Sequence, residues 1–461
     1  MKIQIRSLGA LKQAEFTLGE FTIICGGNNT GKTYATYALF GFLSSWRDSL
    51  SIGIKDEKIS QLLAEGVVRL EVPEYVARAE KILAEGSKDF VKELPKIFAA
   101  SAERFKDTEF NVMLDAKDIR TTGSFDRKIG SANAEFFSIT KGEDDTALVV
   151  TLLVEKEKLK IPREVIVRII NNALKDIIFG HLFPNPFIAS AERTGAAIFR
   201  KELNFARNRL MEEVSQADKN IDPLELLFKD YQDYALPVKT NVEFTRQLES
   251  IAKKTSFVSE KYPDVLNDFA DIIGGNYTVN RNDELYYVPK GKQIKLTMDE
   301  SSSAVRSLLD IGFYLRHMAK PGDLLMVDEP ELNLHPENQR RVARLFARLV
   351  NIGIKVFITT HSDYIIKELN TLIMLNHDKP HLKRIAAEEG YKNGELIAHE
   401  KIKVYIAEEA LLKLEGGKRK TRCQTLTQAD IDSERGIEAR SFDVTIETMN
   451  RIQEEIIWGG E

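Results

Sequence analysis

A glycine-rich stretch near the N-terminus constrains the fold of this chain more than any other feature. Residues 26–33 read Gly-Gly-Asn-Asn-Thr-Gly-Lys-Thr and fit the pattern G-x-x-x-x-G-K-[ST]. An apolar strand is predicted directly before it, at Phe21–Cys25, and a helix directly after it, from residue 34 to about residue 45. Backbone N–H groups of such a loop and of the helix N-terminus converge on phosphate groups. A chance glycine turn is the alternative, and the flanking strand and helix make it the weaker one.

The residues of this loop predict how a nucleoside triphosphate and Mg²⁺ would be held. Lys32 is predicted to reach the β- and γ-phosphates, and the Thr33 hydroxyl is predicted to ligate Mg²⁺. The other loop residues would surround the phosphates with N–H groups and polar side chains. The predicted phosphate-binding residues are therefore Gly26, Asn28, Asn29, Thr30, Gly31, Lys32 and Thr33.

A second stretch, far along the chain, places two carboxylates at the end of a strand. Residues 324–327 are apolar and read as a buried central strand of a parallel sheet, which ends at Pro330 because proline cannot donate to a sheet ladder. Asp328 and Glu329 then lie at the C-terminal edge of the sheet, where open α/β sheets bind ligands. One carboxylate can hold a metal ion, and the other can accept a proton from an attacking water. A strand followed by a plain acidic turn is the alternative.

Polar residues follow two other predicted strands. His361 comes directly after the strand Lys355–Thr360 and is a candidate contact for a γ-phosphate, although a lone histidine is usually structural. Glu192 and Arg193 follow a predicted strand over residues 186–190. This charged pair is either a nucleotide contact or a salt-bridged turn.

A run of three serines opens a predicted helix that ends near residue 317. Serine is a preferred N-cap, and a helix N-terminus attracts anions. Ser302 and Ser303 are therefore candidate phosphate contacts, whereas plain capping would need only one serine.

The composition limits the classes of protein to which this chain can belong. The chain has 461 residues, 43% hydrophobic and 29% charged, enough for a large core. A formal net charge of −5 at pH 7 demands neither a nucleic acid nor an anionic membrane as partner. Cys25 and Cys423 are the only cysteines, which excludes a disulfide framework and a cysteine zinc site. The sequence shows no signal peptide and no apolar run long enough to span a bilayer, so we expect a soluble, cytoplasmic protein without a membrane partner.

The predicted elements indicate an α/β fold that carries an insertion. In the C-terminal part, residues 403–408 are predicted to form a strand and residues 442–458 an amphipathic helix, and this part is expected to bind a partner or to oligomerise. Residues 61–70 show helical periodicity. The expected regions are a nucleotide-binding head at 1–45 and 183–375, an inserted, mainly helical α/β arm at 46–182, and a small C-terminal α+β part at 376–461.

The motifs occur in the order found in ABC-type ATPases. They are residues 26–33, residues 302–308, Asp-Glu-Pro-Glu-Leu-Asn-Leu-His-Pro at 328–336 and Thr-His-Ser-Asp at 360–363. The long gap between the motif at residues 26–33 and the motif at residues 328–336 is similar to the gap in the SMC/RecF-like branch of these ATPases. The motif at residues 328–336 resembles that of the overcoming-lysogenisation-defect (OLD) family in particular. The resemblance covers residues 1–45 and about 186–375. It implies an ABC-type P-loop ATPase head, a mixed sheet flanked by helices, that binds ATP and Mg²⁺.

The resemblance also implies roles for single residues. Asp328 would support Mg²⁺, Glu329 would activate water, and His361 would be the switch histidine. Ser302 and Ser303 would reach the γ-phosphate of ATP held by a second subunit, because such ATPases act as head-to-tail dimers. The sequence departs from the pattern directly after these serines, where alanine replaces a glycine that many relatives carry. A Cβ there limits how closely backbone N–H groups approach a phosphate.

OLD nucleases add a C-terminal Toprim domain, and a fold of that kind needs on the order of 100 residues. Residues 414–417 weakly resemble the first element of a Toprim domain, but too few residues follow them to complete one. We therefore expect no nuclease activity of the chain itself. The favoured hypothesis is an ATP-hydrolysing sensor and scaffold that oligomerises and controls a separate Toprim or HNH effector nuclease, similar to the ATPase subunits of the PARIS and Septu anti-phage systems. A phage protein or DNA would be the trigger. The alternatives are a RecF/SMC-like DNA repair ATPase that binds DNA directly and, as the weakest, the motor of a membrane transporter.

Overall fold

A computed structural model gives the fold of most of the chain. The described residues are 1–119, 121, 123–131, 134–154, 161–199, 234–280, 284–413, 419–438 and 448–456. They divide into two compact units. The first unit comprises Met1–Ile5, Phe42–Glu93 and Thr108–Pro184, and the second comprises Arg6–Gly41, Leu94–Asp107 and Asn185–Glu461.

The strands are numbered in chain order. They are β1 (Lys2–Leu8), β2 (Leu11–Thr17), β3 (Phe21–Cys25), β4 (Val67–Glu71), β5 (Glu109–Met113), β6 (Phe125–Ser131), β7 (Ala134–Lys141), β8 (Ala147–Leu152), β9 (Pro186–Ala189), β10 (Gly275–Val279), β11 (Leu285–Pro289), β12 (Leu324–Asp328), β13 (Lys355–Thr360), β14 (Ile402–Lys413), β15 (Lys420–Gln428), β16 (Ile431–Asp432) and β17 (Gly436–Ile437).

The helices are numbered in the same way. They are α1 (Lys32–Ser49), α2 (Asp56–Glu65), α3 (Val72–Val76), α4 (Ala79–Val91), α5 (Leu94–Phe98), α6 (Arg163–Phe179), α7 (Arg193–Ile198), α8 (Leu236–Arg246), α9 (Leu248–Ile251), α10 (Phe257–Lys261), α11 (Pro263–Ile273), α12 (Ser303–Ser307), α13 (Leu309–His317), α14 (Pro336–Asn351), α15 (Asp363–Met374) and α16 (Pro380–Glu388). None of the described helices combines the length and the apolar character that a bilayer-crossing segment requires.

The first unit combines helices with an antiparallel sheet of order β4-β8-β7-β6. In β8 the buried residues Leu148 and Val150 alternate with half-buried ones, the period of two expected for a strand with one face in the core. The ring centroids of Phe42 and Phe90 lie 5.5 Å apart, and those of Phe90 and Phe110 lie 4.7 Å apart. This aromatic cluster is part of the core of the first unit.

The second unit is built around a six-stranded sheet of order β15-β14-β3-β13-β12-β9. The strands β14, β3, β13, β12 and β9 run parallel, and β15 pairs antiparallel with β14. All five residues of β3 and all five of β12 are buried, as expected for central strands of a parallel sheet with both faces covered. The predicted fold class, an α/β, ABC-type P-loop head with a mixed sheet flanked by helices, is confirmed.

The register of the parallel strands brings the sequence motifs to one edge of this sheet. Cys25, the residue before the glycine-rich loop, pairs with Thr360, and Asp328 pairs with Thr359. Carboxyl ends of parallel strands meet at the same edge. The loop, the acidic pair and His361 therefore begin at neighbouring positions, although the loop ends at Thr33, far from Asp328 and His361 in the sequence.

The helix predicted over residues 61–70 is wrong in its second half. Helix α2 ends at Glu65, Gly66 takes a left-handed φ of 74° as its C-cap, and β4 begins at Val67. Buried and exposed residues alternate along β4, which pairs with β8. A glycine that can adopt positive φ ends a helix without steric cost, so the local signal was present at Gly66.

The C-terminal part contributes to the central sheet. The predicted strand over residues 403–408 lies in the first part of the longer β14, which pairs in parallel with β3. Of the predicted helix over residues 442–458, only residues 448–456 are described, and they are helical. The remaining residues of that prediction lie outside the described part of the chain.

Candidate functional site

The loop after β3 depends on residues with positive φ. The φ angles are 143° at Gly26, 61° at Asn29 and 97° at Gly31. A Cβ at Gly26 would lie 2.5 Å from the carbonyl oxygen of Ala407 in β14, so a side chain is excluded by contact as well as by conformation. Asparagine tolerates the left-handed region better than most residues, which suits it to the loop tip.

The Lys32 side chain is buried at the start of α1. Its Nζ donates hydrogen bonds to the carbonyl oxygens of Gly26 at 3.0 Å and Gly27 at 2.6 Å. Burial lowers the pKa of Lys32, and carboxylates at the end of β12 and in the following turn oppose that shift. The buried ammonium can therefore exchange its hydrogen bonds to the loop carbonyls for stronger ones to phosphate oxygens.

Asp328 ends β12 in a buried position and accepts a hydrogen bond from the Thr359 hydroxyl. Burial raises the pKa of Asp328 to about 6, while the Thr359 hydrogen bond lowers it and the adjacent Glu329 raises it further. A buried carboxylate with incomplete charge compensation is suited to a cation with oxygen ligands.

Glu329 adopts a left-handed backbone conformation with φ of 49°. Its N–H donates to the Thr359 carbonyl oxygen at 3.1 Å and lies 3.3 Å from the Thr359 hydroxyl. Positive φ is uncommon for a residue with a side chain, and such strained positions concentrate at functional sites. The Glu329 side chain is 27% exposed, so water can reach its carboxylate.

His361 lies beside two carboxylates. Its backbone N–H donates to Oε1 of Glu331 at 2.8 Å, and its Nδ1 lies 3.2 Å from the same oxygen and 3.8 Å from Oε1 of Glu329. Glu331 is buried, and burial raises the pKa of its carboxyl. Glu331 thus positions His361 next to Glu329, a role that the sequence analysis did not foresee for this residue.

Arg193 is a buried connector and not part of a salt-bridged surface turn. It is 1% exposed, and burial lowers the pKa of its guanidinium. The neighbouring Glu192 accepts a hydrogen bond from the Tyr37 hydroxyl at 3.2 Å. The guanidinium of Arg193 donates to four main-chain carbonyl oxygens: Ser190 (2.8 Å), Ser307 (2.6 Å), Asp328 (2.6 Å) and Glu329 (2.8 Å). One side chain therefore joins the end of β9 and the end of α12 to the acidic pair.

The serine stretch lies at the start of α12. Ser302 is exposed and is the N-cap of this helix, accepting a hydrogen bond from the Val305 N–H at 3.3 Å. Ser303 is half-buried, and Ala304 packs against the hydrophobic core. The structure thus brings Lys32, the acidic pair and His361 into one site, while Ser302 caps its own helix.

The sequence also contains a D-x-D spacing at Asp430 and Asp432, downstream of residues 414–417. Oδ1 of Asp432 accepts the N–H groups of Glu434 at 2.8 Å and Arg435 at 2.9 Å in the turn between β16 and β17. Asp432 therefore stabilises a turn. Residues 414–417 lie outside the described residues. In the described ranges, no group of three or more His, Cys, Asp or Glu side chains is arranged to hold a metal ion.

Comparison of the sequence with protein families decides the class. A family model described as an AAA ATPase domain matches residues 1–366, which contain the loop, the acidic pair and His361. This chain belongs to the AAA ATPase domain family. No curated protein sequence matches it.

Several solved structures similar to this AAA ATPase domain protein are SMC head domains. An SMC head bound to the C-terminal winged-helix domain of ScpA is 12% identical, with 92% of this chain and 97% of that chain covered and a TM-score of 0.33. An SMC head with an extended coiled coil, bound to the C-terminal domain of ScpA from Pyrococcus furiosus, is 14% identical, with 98% of each chain covered and a TM-score of 0.31. The SMC head domain from Thermotoga maritima is 10% identical, with coverage of 93% and 98% and a TM-score of 0.29.

We expect Arg193→Lys to slow ATP hydrolysis more than it weakens ATP binding. Lysine keeps the charge but lacks the planar fork that serves four carbonyls, so the acidic pair would shift while the phosphate loop stays intact. The expected loss in kcat is about tenfold to a hundredfold, since small displacements of reacting groups have effects of this size. Steady-state kinetics that separate kcat from KM test this, with Arg316→Lys as the control. An unchanged kcat, or a loss confined to KM, would contradict the positioning role.

The buried carboxyl of Asp310 in α13 gives a second prediction. Its oxygens have no hydrogen-bond partner among the described residues, and burial raises its pKa to about 7 although the positive Arg193 is near. The unfolded-state value is about 3.9, so the folded chain binds this proton more tightly than the unfolded chain does between about pH 4 and 7. This carboxyl therefore lowers the free energy of unfolding as the pH rises through that window.

Asp310→Asn cannot ionise, so its free energy of unfolding should fall less than that of the wild type between pH 5 and pH 8. Urea denaturation at both pH values measures the difference, with the exposed Asp299→Asn as the matched control. Equal pH dependence in Asp310→Asn and wild type would show that Asp310 does not contribute.

Proposed function

We propose that this AAA ATPase domain protein hydrolyses ATP in a head-to-tail dimer and uses the nucleotide state to control a separate effector nuclease in anti-phage defence. The observation that carries the proposal is the convergence of Lys32, Asp328, Glu329 and His361 at one edge of the parallel sheet. A triphosphatase needs at least a cation that binds the phosphates and a carboxylate that activates a water molecule for attack on them. The buried Lys32 and the water-accessible Glu329 can provide these two groups.

Binding would begin with the phosphate loop. The β- and γ-phosphates would lie on its N–H groups, and the Lys32 ammonium would exchange its bonds to Gly26 and Gly27 for phosphate oxygens. Thr33 and Asp328 would hold Mg²⁺, because hydroxyl and carboxylate oxygens are the donors that this ion prefers and Asp328 is a buried carboxylate short of positive charge. When bound, Mg²⁺ would neutralise charge that develops on the phosphate oxygens.

Glu329 would act as the general base. Its carboxylate is accessible to water, and its backbone is fixed by Thr359 on one side and by Arg193 on the other. His361, held by Glu331, would contact the γ-phosphate and orient the attacking water. Proton transfer to a carboxylate in such a site contributes roughly 10²–10⁴-fold to the rate.

A second copy of the chain would complete the site. Ser302 is exposed at the start of α12, so its hydroxyl and that of Ser303 would reach the γ-phosphate held by the other subunit. Arg193 ties the end of α12 to the backbone of the acidic pair, which would transmit the arrival of the partner to Glu329. Residues 376–461 would serve as a partner or oligomerisation region.

The anti-phage role is supported by the resemblance of residues 328–336 to OLD-family ATPases. The chain would sense a phage protein or DNA and restrain or release a Toprim or HNH nuclease according to its nucleotide state. Direct action on DNA, as in a RecF/SMC-like repair ATPase, remains the competing function, and the net charge of −5 gives it no support.

We expect Glu329→Gln to retain ATP binding and to lose hydrolysis by roughly 10²–10⁴-fold, because the amide cannot accept the proton of water. This variant should accumulate as an ATP-bound dimer, which light scattering after gel filtration will detect. Lys32→Ala should bind no ATP and remain unassociated, and the exposed Glu388→Gln should match the wild type. Hydrolysis by Glu329→Gln at the wild-type rate would exclude Glu329 as the base.

The effector hypothesis predicts a nucleotide-dependent complex with the product of the neighbouring gene. Co-expression should give a complex whose stability differs between wild type and Glu329→Gln, and Lys32→Ala should abolish protection of cells against phage. A neighbouring protein that never binds, with or without ATP, would contradict the proposal. ATP hydrolysis stimulated by duplex DNA, with steep dependence on salt concentration, would favour the repair function instead.

A further inference from the structure

A cavity of about 670 Å³ lies in the first unit, and the described residues that line it belong to none of the sequence motifs. Its volume falls within the range of about 300–1,000 Å³ that is usual for ligand sites. The lining residues used below are Asp118, Ser124, Phe125, Asp176, Ile177 and Leu182.

The cavity is an opening between the antiparallel sheet and α6. In β6, Arg127 pairs with the buried Ile139 of β7, so Arg127 and Phe125 lie on the face of the sheet that is turned toward the core. The Arg127 guanidinium donates to Oδ2 of Asp176 at 2.9 Å, which holds the last turn of α6 against this face. Next to that contact, the end of α6 and the start of β6 enclose the cavity.

The charges of the cavity favour a cationic guest. Asp176 is already compensated by two cations, because its Oδ1 accepts from Nε of Arg47 at 2.8 Å and its Oδ2 accepts from Arg127 at 2.9 Å. Asp118 is exposed, and none of the described cations forms an ion pair with it. The Asp118 carboxylate is therefore the charged group that remains for a guest, and a carboxylate binds a guanidinium or an ammonium most strongly.

An acidic loop is fixed beside the cavity. Glu143, Asp144 and Asp145 are exposed at consecutive positions between β7 and β8. The Gly123 N–H donates to the Glu143 carbonyl oxygen at 3.2 Å. The Lys141 ammonium, 3% exposed, donates to the carbonyl oxygens of Gly123 at 3.1 Å and of Glu143 at 3.4 Å. These bonds hold three exposed carboxylates next to a lining residue, where they attract a basic ligand.

The apolar part of the wall fits the stem of a basic side chain. Ile177 and Leu182 are half-buried and line the cavity together with Phe125. Arginine and lysine cover apolar surface with their methylene stems and keep the charged head at a polar group. A stem on Ile177 and Leu182 leaves the head for Asp118, and the Ser124 hydroxyl is a further acceptor.

The edge of the sheet indicates that a polypeptide presents this side chain. β6 is the last strand in the order β4-β8-β7-β6, and among the described strands it pairs with β7 alone. An edge strand offers its outer N–H and C=O groups to an extended segment of another chain. A bulge between Ile129 and Gly130 interrupts the regular register, so the regular part of the edge is the part that begins at the cavity.

We propose that this cavity is a docking site for a partner protein that presents an extended segment with an arginine or lysine side chain. The segment pairs with the edge of β6, the stem of its basic side chain packs on Ile177 and Leu182, and the charged head binds Asp118. This interaction goes beyond the proposed function, because it gives the inserted arm a partner and uses neither the phosphate loop nor the acidic pair.

Selection of random heptapeptides from a display library on the full chain tests the proposal. The wild type should enrich peptides that contain arginine or lysine, and Asp118→Lys should lose these and enrich peptides with aspartate or glutamate. A labelled peptide from the wild-type selection then serves as the probe in fluorescence anisotropy. Asp118→Asn should weaken its binding by about tenfold, at the scale of one hydrogen bond between charged groups. The control Asp89→Asn removes another exposed carboxylate of the first unit and should bind the probe as the wild type does.

Three results would overturn the proposal. A wild-type selection that enriches no basic peptides would exclude a basic partner. Equal affinity of Asp118→Asn and wild type for the probe would show that basic peptides bind outside the cavity. Agmatine has a guanidinium on an apolar stem but no peptide backbone, so displacement of the probe by agmatine at the Kd of the peptide would assign the cavity to a free amine. The proposed ATPase function is tested separately by Glu329→Gln.

Discussion

The buried Lys32 ammonium and the carboxylates opposite it are the interaction on which the site depends. Removing such charges from water is costly, and here burial shifts the pKa of Lys32 downward and that of Asp328 upward. The parallel register of β3, β13 and β12 fixes these groups at one sheet edge, so they lie close together. A triphosphate with a divalent cation would supply the missing charges of both signs, which is why this edge of the sheet is where chemistry is expected.

Backbone interactions hold the site in place around these charges. The left-handed Glu329 is fixed between the Thr359 carbonyl oxygen and the Arg193 guanidinium, and the glycine-rich loop fits against β14 because Gly26 lacks a side chain. Arg193 donates to main-chain carbonyls at the end of β9, at the end of α12 and in the acidic pair, so α12 and the acidic pair share one buried connector. Such a connection gives a physical route by which a partner subunit could influence hydrolysis.

Sequence reasoning predicted those parts of the site that a short stretch of residues determines. The loop has glycine at Gly26 and Gly31, where φ is positive, and the apolar run ending in Asp328 is the central strand β12 as expected. Sequence reasoning could not find Arg193 as a connector, because three of its four partners, Ser307, Asp328 and Glu329, come from distant segments. A charged pair at a strand end is ordinarily a surface turn.

The other features that the sequence did not predict also depend on contacts between distant segments. β14 lies next to β3 in the sheet, although about 380 residues separate them in the sequence and no local pattern encodes that pairing. The contact of Glu331 with His361 was also invisible, because it depends on how the turn after β12 folds back toward β13.

A structure of Glu329→Gln with bound Mg-ATP is the most direct test of the central claim. The account predicts one nucleotide on the loop, with the magnesium ion about 2.0–2.1 Å from Thr33 Oγ1 and held by Asp328 directly or through water. It also predicts Ser302 of a second copy at the γ-phosphate. Nucleotide bound elsewhere, or a magnesium ion remote from both Thr33 and Asp328, would contradict it.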